Sequence, residues 1–233
     1  LRSNVALGMN RAKRLNDAFQ VHGDDGFILD HHHPAAQGAA HFVHRGAQQI
    51  LGLVGPVDSG DAARYNRGFV LGAKAIDPSI RVMVAHSGSF SDFVKAGEIA
   101  QSQIKAGADV LTGSSQQALG ALRAVADHPN ADIWWVGQET AQLGIPEGYK
   151  VIGASAYNYA AVIIGLVEKL DSGVKGGEVI PMNFHNGGFK FEFNPALKNK
   201  WEGAIEAKVN EALASFRAKS GTIDYMTVDY SKL

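Results

Sequence analysis

Polar and aromatic side chains follow several short apolar segments of the chain, and their types suit the binding of a small molecule. Asp58 and Glu139 carry carboxylates, which accept strong hydrogen bonds from hydroxyl and amino groups. Ser89 and Ser114 carry hydroxyls that both donate and accept. Phe90 offers a flat π face on which a heterocyclic ring can stack. These groups could hold a flat, hydroxyl-bearing ligand, and the carboxylates could also act as a general acid and a general base.

These residues come together only if the apolar segments form one parallel sheet. Four segments are short and apolar enough to be strands buried on both faces, at 50–54, 80–85, 109–111 and 133–136. Each ends in a small or polar cluster, at 55–58, 86–90, 112–115 and 137–140. Because ligands bind at the carboxyl ends of parallel strands, we expect these exits to converge on one cleft. Gly113, in the third exit, would let the backbone approach a ligand closely.

Amphipathic segments separate the strands and predict the rest of the fold. Apolar residues lie three or four positions apart in 61–75, 93–106 and 117–126, which indicates helices. Alternation of strand and helix predicts an α/β fold with a parallel sheet flanked by helices. Beyond Gln142, the patterns predict a strand at 150–153, an apolar helix at 157–170, a half-exposed strand with one aromatic face at 189–193 and a long helix at 196–219.

The composition disfavours several classes of function. Among 233 residues, 22 are basic and 23 acidic, so the formal net charge of -1 gives no electrostatic footprint for nucleic acid or an anionic membrane. No apolar run approaches the roughly 20 residues of a membrane span. The sequence has no cysteine, which excludes disulfides and thiolate chemistry. It contains no dinucleotide or phosphate-loop motif, and we expect no cofactor.

Four motifs in a fixed order carry a family resemblance. They are Leu-Val-Gly-Pro-Val-Asp at 53–58, Gly-Ser-Phe-Ser-Asp at 88–92, Ala-Gly-Ala-Asp-Val at 106–110 and Gly-Gln-Glu-Thr-Ala-Gln at 137–142. Together they resemble the basic membrane protein family of ABC-transporter substrate-binding proteins, whose studied members bind purine nucleosides. The similarity extends from about residue 48 to about residue 219 and so covers most of the chain.

The resemblance implies a two-lobe, type I periplasmic-binding-protein-like fold that closes on its ligand without making or breaking a bond. Phe90 is similar to the aromatic residue that stacks on the purine, and Glu139 to the carboxylate that accepts hydrogen bonds from the sugar. Gly113 and Ser114 would line the floor of the cleft. The implied partner is an ABC permease, and the implied location is the periplasm or the outer face of the cell membrane. Any membrane association would be through a lipid anchor outside this chain.

Two positions depart from the family pattern. Tyr157 stands where the nucleoside-binding members resemble one another in having a lysine, and Ala141 stands where they have a second aspartate. Tyr157 can stack or donate one hydrogen bond, but it carries no charge near neutral pH. Because a cation and an anion are missing together, a free purine base or another flat heterocycle is an alternative ligand.

The resemblance divides the chain into three parts. Residues 48–142 would form the ligand-binding α/β lobe, and residues 143–233 would contribute a hinge return, a strand and a carboxy-terminal helix that complete the first lobe. Residues 1–47 would be a remnant or divergent part of that first lobe, which is shorter than in the family. Within it, His31–His33 could bind a metal, but three adjacent histidines cannot all face one ion on a regular element. We therefore expect an exposed loop there and no metal site.

Two other functions fit parts of the sequence. A nucleoside or sugar hydrolase could use Asp58, Asp92 and Glu139, although the sequence has no nucleophile motif such as Gly-x-Ser-x-Gly. A ligand-sensing regulator could share the fold, although residues 1–47 contain no convincing helix-turn-helix. The sequence favours a non-catalytic solute-binding component of an ABC importer that captures a purine nucleoside, a purine base or a similar heterocycle.

Overall fold

The computed structural model describes residues 50–173 and 187–200, together with residues 207, 209–211 and 214. The predicted segment 1–47 and much of the predicted helix 196–219 lie outside the described residues. None of the described helices is long and apolar enough to cross a membrane. Strands and helices alternate along the chain as β1 (Ile50–Gly55), α1 (Gly60–Ile76), β2 (Arg81–His86), α2 (Phe93–Lys105), β3 (Val110–Gly113), α3 (Ala118–Ala126), β4 (Trp134–Gly137), β5 (Val151–Tyr157), α4 (Tyr159–Asp171) and β6 (Phe189–Phe193). Short 3₁₀ helices occupy Thr140–Leu143, Pro146–Lys150 and Pro195–Lys200.

The strands form one sheet in the order β2-β1-β3-β4-β5-β6. All neighbouring strands are parallel except β6, which is antiparallel to β5. The predicted α/β fold, a mostly parallel sheet flanked by helices, is therefore confirmed. The prediction that the first four strands are buried on both faces is wrong for β2. This strand lies at the edge of the sheet formed by the described residues, where Arg81 is exposed and the residues from Val82 to His86 are only half-buried.

The strands from β1 to β5 all end later than the sequence patterns predict, and β3 and β5 do so by two or more residues. β3 continues to Gly113 instead of ending at 111, so Thr112 is a strand residue rather than part of the exit. β5 reaches Tyr157 because β6 pairs with it over five positions, with Tyr157 opposite Phe189. Since Tyr157 belongs to the strand, α4 begins at Tyr159 instead of residue 157.

The sheet separates two hydrophobic clusters. Side chains alternate along β1, so that Leu51 and Leu53 join one cluster while Ile50 and Val54 join the other. The first cluster includes residues of α1 and β6, namely Phe69, Val70, Ala73, Phe189 and Phe191. The second includes residues of α2 and α3, namely Ala96, Ala100, Ala118, Ala121, Leu122, Ala124 and Val125. The aromatic row of β6 is thus a packing face, as predicted.

Residues beyond Gln142 continue the same sheet. The side-chain amide of Asn194 donates to the carbonyls of Gly148 at 2.9 Å and Val151 at 2.8 Å, which ties the end of β6 to the start of β5. The predicted boundary at Gln142 therefore does not coincide with an edge of the sheet. The division of the chain into three parts stays a prediction.

Candidate functional site

A cavity of about 190 Å³ lies at the carboxyl ends of β3, β4 and β5. The first turns of α1, the loops after β3 and β4, and the paired ends of β5 and β6 surround it. Its lining residues are Asp61, Ala62, Tyr65, Ser114, Ser115, Gln138, Glu139, Tyr157 and Phe189. Because ligands of open parallel sheets bind at this edge, the cavity is the candidate site.

A second cavity, of about 200 Å³, lies beside the amino end of β4. Its lining includes Trp134, Tyr149 and the buried Lys150. The Lys150 ammonium donates to the carbonyl of Ala131 at 2.8 Å and lies 5.3 Å from the centroid of the Trp134 ring. This cavity is at the edge of the sheet where parallel folds do not usually bind ligands, so it is not the candidate site.

Three of the seven predicted site residues line the first cavity: Ser114, Glu139 and Tyr157. The other four are not among its lining residues: Asp58, Ser89, Phe90 and Gly113. The exits after β3 and β4 therefore meet at this cavity, whereas no residue of the exits after β1 and β2 is among its lining residues. The roles of all seven residues as ligand contacts stay predictions.

Ser114 is held in place by two buried amides. Its hydroxyl donates to Asn66 Oδ1 at 2.8 Å, and its carbonyl accepts from Gln117 Nε2 at 2.9 Å. Gln117 Nε2 also donates to the carbonyl of Val54 at 3.0 Å, so the loop after β3 is tied to β1. Among the described residues, Asn66 Nδ2 and Gln117 Oε1 are buried without a hydrogen-bond partner. Ser114 thus has a fixed orientation at the cavity wall.

Tyr65 connects the cavity to the interior of the sheet. Its hydroxyl oxygen lies 2.6 Å from Thr112 Oγ1, and the Thr112 hydroxyl donates to the carbonyl of Val136 at 2.8 Å. Since the single Thr112 proton is used in that bond, Tyr65 is the donor to Thr112. Burial raises the pKa of Tyr65 far above its usual range. Tyr65 therefore remains a neutral phenol.

The loops after β3 and β4 are joined by Ser115 and Gln138. Ser115 has a φ of 66°, in the left-handed region that non-glycine residues rarely adopt. Its backbone N–H donates to Gln138 Oε1 at 2.6 Å. Both residues line the cavity, so its shape depends on this contact.

Aromatic rings form one wall of the cavity. The rings of Tyr157 and Phe189 are 4.9 Å apart between centroids and inclined at 65°, an edge-to-face arrangement. Tyr159 lies 5.7 Å from Tyr157 and is itself exposed. Tyr157 is half-buried and Phe189 is buried, so the cavity has an apolar side formed where β5 and β6 pair.

The charged residues of the lining are both acidic. Asp61 forms an exposed ion pair of 3.1 Å with Arg64 on α1. Glu139 is exposed and has no ion-pair partner among the residues that the structure describes. No lysine or arginine is among the lining residues in the described part of the chain. Glu139 is therefore the carboxylate most available to a ligand.

Asp58 is paired with a residue that the sequence reasoning did not single out. Both of its carboxylate oxygens accept from the Arg67 guanidinium, at 2.7 and 2.6 Å. Arg67 is on α1 and its side chain is only 9% exposed, whereas that of Asp58 is 39% exposed. Breaking such a pair would leave the buried guanidinium without its counter-charge, so the carboxylate of Asp58 has a structural partner already.

Ser89 and Phe90 lie in the loop after β2. The Ser89 hydroxyl accepts from the backbone N–H of Ser91 at 3.2 Å, and the Ser89 carbonyl accepts from the Ser87 hydroxyl at 2.8 Å. The carbonyl of Phe90 accepts from the backbone N–H of Gln117 at 3.0 Å, which connects this loop to the start of α3. The Phe90 ring is 47% exposed. Phe90 belongs to neither hydrophobic cluster, so its ring is available for stacking. It lies at the carboxyl-terminal edge of the sheet, as the cavity does.

Close packing around Gly113 leaves no room for a side chain. A methyl group at this position would lie 2.7 Å from the carbonyl oxygen of Val54 and 3.0 Å from the Cβ of Ala118. Neither neighbour can move without shifting β1 or α3. The requirement for glycine is therefore explained by the close approach of β3, β1 and α3, without a ligand.

Several cavity residues were not predicted from the sequence, namely Asp61, Ala62, Tyr65, Ser115, Gln138 and Phe189. Ser115 and Gln138 are adjacent to predicted residues in the same exits, so the expectation that strand exits converge on one cleft could have identified them. Tyr65 is one of the regularly spaced apolar residues of the predicted helix at 61–75, and Phe189 comes from a strand whose pairing has no local signal. The described residues contain no group of three or more potential ligands for a metal ion, and His31–His33 lie outside them.

Comparison with known proteins gives the family of the chain. A protein-family model described as ABC transporter substrate-binding protein PnrA-like matches residues 39–218. The chain belongs to this family. The resemblance seen in the sequence motifs is thereby confirmed, and membership in this substrate-binding family supports a solute-binding role.

One curated relative is the ABC transporter nucleoside-binding protein BmpA of Lactococcus lactis subsp. cremoris. It is 26% identical to this PnrA-like chain over 182 residues, which are 69% of the chain and 50% of BmpA. The chain thus spans half the length of this relative.

Solved structures share the fold of this PnrA-like chain. An ABC transporter solute-binding protein from Conexibacter woesei has a TM-score of 0.63 and 17% identity, covering 84% of this chain and 63% of that protein. A protein described as a transcriptional activator of the comK gene from Bacillus halodurans has a TM-score of 0.67 and 16% identity, covering 82% of this chain and 64% of that protein. At these identities the likeness shows the fold alone.

Proposed function

We propose that the chain is part of the solute-binding component of an ABC importer, and that it captures a purine nucleoside, a purine base or a similar flat heterocycle between two lobes without catalysis. The main support for this proposal is the cavity at the carboxyl ends of the strands, where Ser114, Glu139 and Tyr157 lie together. Its volume of about 190 Å³ is below the range of about 300–1,000 Å³ for complete ligand pockets. One wall of a cleft that closes between two lobes would have such a size.

A nucleoside is favoured over a base by the spacing of the strands. Phe90 follows β2 and Glu139 follows β4, and β1 and β3 lie between these strands. Three strand spacings amount to about 14 Å. A ligand that contacts both side chains must be extended, and a base with a sugar attached is longer than a base alone. The printed name of the BmpA relative, a nucleoside-binding protein, points the same way.

In this proposal each residue has a distinct role. The Phe90 ring stacks on the purine, Glu139 accepts hydrogen bonds from the sugar hydroxyls, and Tyr157 contributes an aromatic wall. The partner is an ABC permease, and the protein works outside the cytoplasm, in the periplasm or at the outer face of the membrane. A lipid anchor would hold it there.

The hydrolase alternative is weakened by the partners of its candidate carboxylates. Asp58 accepts two hydrogen bonds from Arg67, and Asp92 accepts from the backbone N–H of Lys95 at 2.9 Å as the amino-terminal cap of α2. Only Glu139 of the three lines the cavity. The other carboxylate of the described lining, Asp61, is paired with Arg64, whereas a general acid and base pair needs both groups within hydrogen-bonding reach of the same ligand.

Calorimetric titration of the refolded, ligand-stripped chain tests the proposal. The panel contains adenosine, guanosine, adenine, guanine and unrelated sugars, and each mixture is analysed afterwards for products. We expect purine nucleosides to bind without turnover. Turnover would favour the hydrolase, and no binding to any purine would contradict the proposed ligand class.

Glu139→Gln tests the sugar contact, with Glu98→Gln as the matched control. The Glu98→Gln substitution makes the same chemical change on the exposed surface of α2, where Glu98 pairs with Lys95. Hydrogen bonds to a charged group contribute about 1.5–3 kcal/mol, so Glu139→Gln should weaken adenosine binding by about that amount and adenine binding much less. Equal losses for adenosine and adenine would remove the sugar-binding role of Glu139.

A further inference from the structure

We infer that Gln138 is a specificity-determining residue: its amide donates a hydrogen bond to one sugar hydroxyl of the ligand, and the Glu139 carboxylate accepts from that same hydroxyl. The site then selects ribonucleosides over their deoxy analogues. This assignment rests on the proposed function and deepens it, because it names the part of the ligand that the loop after β4 recognises and a second residue that recognises it.

The orientation of the Gln138 side-chain amide is fixed by its contact with Ser115. The Ser115 backbone N–H is a donor only, so the Gln138 atom 2.6 Å away must be the acceptor oxygen, Oε1. A flipped amide would place two donors against each other at this distance. The amide nitrogen, Nε2, is therefore turned away from the Ser115 N–H, and its two protons can only be donated.

The Gln138 Nε2 has no hydrogen-bond acceptor among the residues that the structure describes. Gln138 is half-buried and lines the cavity, and its Nε2 does not belong to the buried polar atoms that lack a partner in that part of the chain. Its N–H groups are therefore accessible to a ligand. The hydroxyls of Ser115 and Tyr157 can rotate to donate or to accept, whereas the oriented amide requires an acceptor atom of the ligand.

Gln138 and Glu139 are consecutive residues of the loop after β4, and both line the cavity. The amide donates, whereas the carboxylate accepts. A hydroxyl does both, so one sugar hydroxyl can satisfy the two side chains together. The base is less suited to this role, because the proposed function places it on Phe90, in the loop after β2, and β1 and β3 lie between β2 and β4. The 2′- and 3′-hydroxyls of ribose are therefore the groups to test.

Gln138→Glu separates the role in binding from the role in the loop. The new carboxylate keeps an acceptor oxygen for the Ser115 N–H, but it has no proton to donate near neutral pH. Gln116→Glu is the matched control, since Gln116 is exposed, follows Ser115 directly and is not among the lining residues in the described part of the chain. Urea unfolding first measures the stability of both variants. Adenosine, 2′-deoxyadenosine, 3′-deoxyadenosine and adenine are then titrated calorimetrically into the variants and the unchanged chain.

We expect the unchanged chain to bind adenosine at least about tenfold more tightly than the deoxy analogue that lacks the shared hydroxyl, because that analogue loses both contacts. Gln138→Glu should weaken adenosine binding by about three- to tenfold. It should change the binding of that analogue and of adenine by less than about twofold, since neither has the hydroxyl that Gln138 contacts. Gln116→Glu should leave the affinities for all these ligands unchanged.

Equal binding of adenosine and both deoxy analogues by the unchanged chain would overturn the inference, whatever the variants do. A Gln138→Glu variant of unchanged stability that weakens every ligand by the same factor, or weakens none, would also overturn it. In these cases, tight binding of adenosine would still support the proposed function. Failure of the unchanged chain to bind any purine would contradict the proposed function and the role of Gln138 together.

Discussion

Gln138 fixes Ser115 in a left-handed conformation through a hydrogen bond of 2.6 Å between the Gln138 Oε1 and the Ser115 N–H. Ser115 follows β3 and Gln138 follows β4, so the bond joins two strand exits. A non-glycine residue in the left-handed region costs about 1–3 kcal/mol, which the surrounding contacts must offset. Strain of this kind is common at ligand sites, and here both partners line the cavity.

We expect Gln138→Leu to destabilise the chain by about 1–2 kcal/mol, because the Ser115 N–H loses its acceptor while its strained conformation remains. Gln138→Glu retains an acceptor oxygen in the same place and should cost much less. Urea unfolding followed by circular dichroism measures both variants. If the two variants lose the same stability, the hydrogen bond is not what holds the loop.

Much of this fold is predictable from local patterns, because each strand and helix before Gln142 has its own periodicity and its own turn residues. The strand order is not local. The expectation that strand exits converge brought Ser114 and Glu139 into one cavity, and the family resemblance pointed to Tyr157. Neither could show that β2 lies at the edge of the described sheet, with β1 and β3 between it and β4. Ser89 and Phe90 are therefore displaced from the cavity they were expected to share.

The partners of several charged and aromatic residues could not be predicted from the sequence either. The Asp58 carboxylate already accepts two hydrogen bonds from Arg67. Arg67 lies on α1, which positions its guanidinium near the end of β1. Phe189 reaches the cavity only because β6 adds to the sheet antiparallel to β5 and places it opposite Tyr157. Each contact depends on tertiary geometry, and residue type and spacing do not encode it directly.

Gly113→Ala should destabilise the fold by about 1–3 kcal/mol, because the added methyl would lie 2.7 Å from the carbonyl oxygen of Val54. Gly165→Ala is the matched control. Position 165 is in α4, and a methyl group there has no neighbour within 4 Å, so the helix should gain about 0.5–1 kcal/mol. Thermal unfolding of both variants makes the comparison. A stable Gly113→Ala variant with impaired ligand binding would instead place Gly113 in the ligand site.

Phe90→Ala should weaken purine binding by about 1–3 kcal/mol through loss of stacking, with little change in stability. The ring is 47% exposed, so its removal leaves no large cavity in the core. Phe93→Ala is a suitable control, since Phe93 is 39% exposed and begins α2 three residues later. Calorimetry with adenosine distinguishes them. An unchanged dissociation constant for Phe90→Ala would remove this residue from the site.

The stability of the chain should fall as the pH rises through the titration of Asp109. Burial raises the pKa of this carboxyl from 3.8 to about 6; the nearby Asp132 charge adds to the increase, and hydrogen bonds to backbone N–H groups oppose it. Its Oδ1 is buried without a hydrogen-bond partner in the described part of the chain. The folded state therefore binds the proton more tightly than the unfolded state does. Folding is favoured by this group below about pH 4, and that contribution is lost as the pH approaches and passes 6.

Asp109→Asn keeps the shape of the side chain and removes the charge, so it should stabilise the protein above pH 6 and have little effect below pH 4. Because Asp109 is only partly buried, solvent screening limits the gain to about 1 kcal/mol. Asp132→Asn should act in the same direction but less, since it removes only the neighbouring charge and can still accept from Trp134 Nε1. Urea unfolding across this pH range measures both effects. Parallel stability curves for Asp109→Asn and the unchanged chain would mean that the buried carboxyl does not titrate there, because a group with a raised pKa must make the two curves diverge as the pH increases.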